Sequence, residues 1–537
     1  MAEIKDKLIT AENLKNAYDD NKRQINELKG DLVNEKSRLK SEISRSVITD
    51  LNHENELTDL REKLNFVTSA RETSILCEDG ELLTDEEESS LTVFVYSVIT
   101  DESLKESNIP ADAKAVGEII ERFSNRIRDA NIFHAEKYNL PVLRLYGDMS
   151  EISKDKKVNL TYLYSKGISG ECTLKWQGSS SLLWEKKNYT LSLDRDVEMK
   201  GGWGKHKKYC LKANYIDFSH SRNIVSARLW SQIVKDRKIK ENNIYTISTE
   251  NNVDISTEDN AIFVALTDRI LSAPNCGAVD GFPIALYIND EYKGLYTLNI
   301  PKDSYMFGMG DLNTEYIITA EYSADFKNNV SYEMMMNGEI YAIEYVKNQS
   351  DAINAANSFN NLITSANNYS NSNKSLENYL DINSFIDYYI FSMLLNATDC
   401  LVRNYIMYTY DGKKWAVSAY DLDTTFGNTW DGKAYEKINN LTTFANSFHY
   451  NRLFEILQIY FKDELKERYA ELRETILSED NIFYEFSNFL AEIPSAMKQE
   501  ENKIWTNLYG TETNNLAQII NFYRLKCEFL DNEISHL

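Results

Sequence analysis

Residues 405–410 and 414–420 read as strands on either side of Asp411-Gly412, a turn signal that closes an antiparallel hairpin. Such a hairpin carries the two polar segments that flank it, 396–404 and 421–427, to its open end. A weaker signal of the same kind joins 282–288 to 292–298 across Asn289-Asp290. Further strands are predicted at 173–176, 189–193 and 208–211, and a helix over 223–234. Another helix over 385–395 precedes the polar loop 396–404, and beyond Trp430 the pattern is helical, over 453–469, 472–477, 483–490 and 516–529. The body therefore reads as α+β with a helical C-terminal portion.

Residues 1–66 have a different texture, with no Pro and a single Gly, Gly30. Ala11, Leu14, Tyr18, Ile25, Leu28, Leu32 and Leu39 form a heptad seam interrupted by Asn21 and Glu35. This predicts a coiled-coil helix that makes a dimer or trimer, the alternative being a helical hairpin that turns near Gly30. Residues 67–139 are transitional, with a strand at 91–99 and a helix at 112–127. The expected organisation is 1–66 coiled coil, 67–139 linker, 140–430 main domain, and 431–537 its helical completion.

The chain has 59 basic and 83 acidic residues, a net charge of −24. That balance argues against a nucleic-acid partner and against electrostatic docking on anionic membranes. With 42% apolar residues it has ample material for a core, yet no run approaches the roughly 18–20 apolar residues that span a bilayer. The N-terminus turns acidic within a few residues and lacks an apolar stretch, so no secretory signal is expected; the setting would be the bacterial cytoplasm or a phage virion. Six Cys and six His occur without a CxxC or HExxH spacing. Reduced buried thiols are expected, and a zinc hydrolase or thiol redox enzyme is disfavoured.

The flanks of the strong hairpin carry the chemistry. The first holds Asp399 and, five residues on, Asn404; the second holds Asp421 and Asp423. Phosphoryl transfer needs a carboxylate to take the acceptor hydroxyl's proton and oxygen ligands for Mg²⁺ on the phosphates. Protein kinases supply these as an Asp, an Asn five residues later, a hairpin and a metal-binding Asp. The bland alternative makes Asp399 a loop cap and Asp421 and Asp423 turn formers. A second element, Gly178-Ser179-Ser180, is a small-residue loop able to offer N–H groups and hydroxyls to phosphates. Strand alternation puts Lys187 on the inward face with Tyr189 and Leu191, and turns Lys186 to solvent. Third, Arg222 lies in the first turn of the 223–234 helix, where a cation wants an anionic partner: a phosphate or Asp217. His220 reads as a packed or surface residue and not as a ligand.

These pieces, with Lys186-Lys187-x-Tyr189, Asn214-x-x-Asp217-x-Ser219 and Gly294-Leu-Tyr296, resemble the spore coat protein H (CotH-like) family of atypical kinases over about residues 140–430. The resemblance implies a divergent, two-lobed protein-kinase-like domain that uses ATP and Mg²⁺ (or Mn²⁺) to phosphorylate Ser/Thr of proteins. It implies Asp399 as base, Asp421 as the principal metal ligand and Asn404 as the second. The residues themselves add Asp423 as a spare ligand or loop anchor, and Gly178, Ser179, Ser180, Lys187 and Arg222 as phosphate contacts. The chain departs from the family pattern at Leu298-Asn-Ile300-Pro301-Lys302 and at Cys400 and Arg403. Residues 101–117 resemble a segment of tail and baseplate proteins of phages of Gram-positive bacteria. Two alternatives follow: a phage tail structural or adhesive protein whose domain is a pseudokinase or binding module, bound to another virion or surface protein, and an AMP transferase.

Overall fold

In the computed structural model, β1 (Val142–Tyr146), β2 (Val158–Tyr164), β3 (Ile168–Gln177), β4 (Asn188–Val197) and β5 (His206–Lys212) follow one another as an antiparallel meander. The helix α1 (Arg222–Glu250) then leads to the hairpin of β6 (Gly281–Ile288) and β7 (Glu291–Asn299). Its turn residues, Asn289 and Asp290, both take a positive φ, 51° and 65°, which is what a primed hairpin turn demands. β7 pairs with β5, and β6 lies parallel to β1 with Ala285 opposite Val142. Seven strands thus close a barrel in the order β1-β2-β3-β4-β5-β7-β6. Every residue of β1 and of β6 is buried, consistent with continuous apolar strands covered on both faces.

A second sheet follows, built from β8 (Tyr316–Ala320), β9 (Tyr341–Val346), β10 (Tyr405–Thr409) and β11 (Ala416–Ala419), with α2 (Tyr332–Asn337), α3 (Ala352–Asn367) and α4 (Ile382–Leu394) between them in the chain. Its order is β11-β10-β8-β9, antiparallel throughout. The remaining helices are α5 (Phe444–Ser447), α6 (Arg452–Tyr460), α7 (Lys462–Glu474), α8 (Glu479–Ala491), α9 (Ser495–Ile504) and α10 (Leu516–Ser535). The structure describes residue 135 and residues 140–537, apart from 166, 179, 251–268, 436–441 and 506–514.

The expectation of a two-lobed, protein-kinase-like α+β body is corrected by this topology: a closed barrel and a separate four-stranded sheet take its place. The closing pair, β1 with β6, joins segments separated by the whole meander and α1. Local periodicity carries no trace of such a pairing. The strands expected at 173–176, 189–193, 208–211, 282–288 and 292–298 lie within β3 to β7, and α1 and α4 match expected helices. The helix expected over 453–469 is two, broken at Phe461 (φ −127°, ψ 34°), and 472–477 is the end of α7 and a turn. The coiled-coil helix of 1–66, the 91–99 strand, the 112–127 helix and the segment 101–117 lie outside the described residues. No described helix is long and apolar enough to cross a membrane. The described cysteines, Cys172, Cys210, Cys276, Cys400 and Cys527, are free and buried.

Helix α10 buries Lys526, whose ammonium donates to Asn396 Oδ1 (3.2 Å) and to the Thr442 carbonyl. Burial pushes its pKa down to about 7, whereas an unfolded lysine keeps its proton to about 10.4. Between those values the native state binds fewer protons than the unfolded chain, so stability rises with pH, by up to about 1.4 kcal/mol per pH unit. Lys526→Met is expected to flatten that rise in urea melts run from neutral to alkaline pH. An unchanged slope would assign it to another group.

Candidate active site

A cleft of about 760 Å³ is lined by Gly178, Ser181, Lys186 and Lys212 from the barrel side and by Asp399, Arg403, Asn404, Asp421 and Asp423 from the sheet side. The β10–β11 hairpin brings its two flanks together as its strands require. Asn404 N donates to Ala320 O (3.1 Å) on β8, and Tyr420 N donates to Asn404 O (3.2 Å). Asn404 and Asp421 both have left-handed backbones, φ 57° and 56°. Asn and Asp tolerate that region best, but each such residue still costs on the order of 1–3 kcal/mol. The far end of the hairpin is longer than a two-residue turn: Asp411 Oδ1 accepts from the Lys413 and Lys414 N–H groups (2.8 Å each).

The segment after β11 is held against the start of α1. Leu422 N donates to Asn223 Oδ1 (3.1 Å), Arg222 Nε to Thr425 O (3.0 Å), and Asn428 Nδ2 to Asp423 O (2.9 Å) and Ile216 O (3.0 Å). Arg222 is fully buried, and its Nη1 donates to Asp217 Oδ1 at 2.6 Å. Of the two partners foreseen for Arg222, the structure shows Asp217. Arg222 braces the loop that carries Asp421 and Asp423 and does not line the cleft.

Asp399 lies in the short turn Thr398–Leu401 and accepts a 2.6 Å hydrogen bond from Arg403 Nη2 on Oδ1. That bond raises the Arg403 pKa further, so the guanidinium stays charged. Burial, then the charge of Asp421, pushes the Asp423 carboxyl well above its ordinary range; Asp217 and Asp399 add to the push, and Lys212 opposes it. Burial and the same carboxylates, Asp399, Asp421 and Asp423, raise the pKa of the Cys400 thiol behind them. The donor set carries more negative charge than the protein compensates, which suits a hard divalent cation. Among the described residues no group of three His, Cys, Asp or Glu is placed to hold a metal. Mg²⁺ asks for less, since it binds through one or two carboxylates with waters and phosphates. Asp421, Asp423 and the Asn404 amide fit that requirement.

Neither lysine takes the place expected of it. β4 starts at Asn188, so strand alternation does not reach Lys187. Lys187 folds back to donate to the carbonyls of Leu182 (2.8 Å) and Trp184, with its ammonium 5.4 Å from the Trp176 ring. Lys186 is the buried lysine of the cleft, donating to Ala213 O (2.9 Å), Leu295 O and Glu501 Oε1. Gly178 has φ 113°, which strains any residue with a side chain, and a Cβ there would fall 1.9 Å from Ser181 Oγ, which would have to move. Ser180 opens the turn Ser180–Leu183; Ser179 lies outside the described residues.

Glu501 arrives on α9, which packs on β7 at Gly294. Gly294 has φ 101°, and a Cβ there would sit 3.1 Å from both Glu501 Oε1 and Trp505 Nε1. Glu501 Oε2 also meets His220 Nε2 at 2.7 Å, and His220 Nδ1 faces Asn214 Nδ2 at 3.2 Å. Burial raises the Glu501 pKa, but Lys186 and His220 outweigh it and hold the carboxyl below its ordinary range. Of the packed and surface placements open to His220, the structure shows the packed one. Lys186, Lys212 and Glu501 are absent from the sequence reading of the site. The available signal was Glu501 one helical turn from the buried Met497, a carboxylate on an apolar stripe.

A family model described as CotH kinase protein matches residues 174–530, which takes in most of the barrel, the second sheet and the C-terminal helices. No curated protein matches the chain.

Proposed function

The chain belongs to the CotH kinase family, and on that premise we propose that it transfers the γ-phosphoryl group of ATP to a Ser or Thr hydroxyl of a protein acceptor. One observation carries this reading: Asp399, Asn404, Asp421 and Asp423 from the sheet face Lys186 and Lys212 from the barrel across one cleft. Mg²⁺ or Mn²⁺, held by Asp421, Asn404 and Asp423, would neutralise charge on the phosphates. Asp399 takes the acceptor's hydroxyl proton, and the Arg403 bond to Oδ1 fixes the orientation of the carboxylate. Arg222, through Thr425 and Asp217, keeps the Asp421–Asp423 loop in place before any ligand arrives.

The direct test incubates the protein with Mg²⁺ or Mn²⁺ and ATP labelled either at the γ- or at the α-phosphate. Label moving from the γ position supports the proposal, label from the α position means AMP transfer, and neither means a binding module. A second measurement concerns the metal. Asp421→Asn keeps a residue that tolerates the left-handed backbone but removes a charged ligand. Mg²⁺-dependent ATP affinity is expected to fall about 10–100-fold, as for a lost charge-assisted contact, with the fold retained. Unchanged affinity in calorimetry would remove Asp421 from the metal set.

A further inference from the structure

The cations of the cleft differ in what already holds them. Lys186 is bound to Glu501 and two carbonyls, Lys302 lies 3.1 Å from Glu344, and Arg403 is paired with Asp399. Lys154, in the β1–β2 connection, is exposed at the rim. Lys212 is half-buried in the wall and makes no ion pair among the described residues.

Its placement follows from the strand. Period-two alternation sets Lys208, Cys210 and Lys212 on one face of β5 and sends Tyr209 and Leu211 into the barrel core. Lys212 is the last residue of β5, opposite Thr297 of β7, and the next residue is tied down by Asn188 Oδ1 accepting from Ala213 N (2.7 Å). The side chain therefore springs from a rigid element at the cleft. Lys212 lines the same cleft as Asp399, Asp421 and Asp423.

We propose that Lys212 is the cation that meets the transferred phosphoryl group. This deepens the phosphotransferase reading and rests on it. In the step itself the bond between the γ-phosphorus and the oxygen bridging to the β-phosphate breaks, with its electron pair left on ADP. The acceptor oxygen forms the new bond to phosphorus and its proton passes to Asp399. Lys212 takes no part in the proton transfer and balances charge on the γ-phosphoryl oxygens. Lys187, the residue that strand alternation would choose, is turned away into the 182–184 turn.

The alternative role for Lys212 is only to offset Asp423, and the two roles separate by ligand. The full chain and its Lys212→Met and Lys212→Arg variants are titrated with ATP, ADP and adenosine in Mg²⁺, with thermal melts alongside. Lys212→Met is expected to weaken ATP about 10–100-fold, ADP less, and adenosine not at all, with Lys212→Arg recovering part of the loss and the melting temperature little changed. Equal losses for all three ligands, or no loss for ATP, would overturn the assignment. If the wild-type chain binds none of the three, the phosphotransferase reading fails and the role of Lys212 fails with it. Wild-type binding that Lys212→Met leaves intact defeats Lys212 alone.

Discussion

Asp399→Asn is expected to lower turnover by about 10²–10⁴-fold, the usual worth of a positioned general base, while ATP binding stays near its wild-type value. Asparagine has the shape of aspartate, and its side-chain oxygen can still accept from Arg403, so the turn Thr398–Leu401 has no reason to rearrange. What disappears is the site that receives the acceptor's proton. The ion pair itself adds little to stability, because the Arg403 side chain is 38% exposed and pairs near solvent are worth about 0–1 kcal/mol. Initial rates measured beside calorimetric titration with Mg²⁺ and ATP separate the two quantities. Equal losses of affinity and rate would make Asp399 a metal ligand or a structural residue.

Glu501→Ala is expected to destabilise the fold by about 3–5 kcal/mol, the range for removing one partner of a buried ion pair. Lys186 and Glu501 have fully buried side chains, and His220 has only 2% of its side chain exposed. Without the carboxylate the Lys186 ammonium keeps its two carbonyl acceptors but loses its counter-charge. Since Lys186 and His220 hold the Glu501 carboxyl below its ordinary range, this stability is present above about pH 4.5 and is lost as pH falls through the lower native value. Urea denaturation at neutral pH measures the loss. The double variant Lys186→Met/Glu501→Leu is expected to regain much of it, because no buried charge is left unpaired. A Glu501→Ala protein as stable as the wild type would show that α9 does not lock the barrel as its contact at Gly294 indicates.

Sequence alone determined the part of this protein that is local. The hairpin of β10 and β11 is encoded by two strand-forming runs around Asp411-Gly412, so the meeting of Asp399 and Asn404 with Asp421 and Asp423 follows from a stretch of chain short enough to read directly. The same holds for β6 and β7, where Asn289 and Asp290 supply the positive φ that the turn needs. Tertiary structure decided the rest, for reasons of distance along the chain and of phase. The barrel closes through Val142 and Ala285, and period-two patterns say which face of a strand is buried but not which strand lies beside it. The choice between Lys186 and Lys187 turned on where β4 begins: both lysines precede Asn188, so turn contacts and not strand alternation orient them. Arg222 was placed in its helix correctly, yet only packing shows whether a buried cation there meets a phosphate or Asp217. Glu501 reaches Lys186 across 315 residues. A charge buried that far from its partner is visible in sequence only as a misplaced polar residue, because what makes it tolerable is the shape of the whole fold around it.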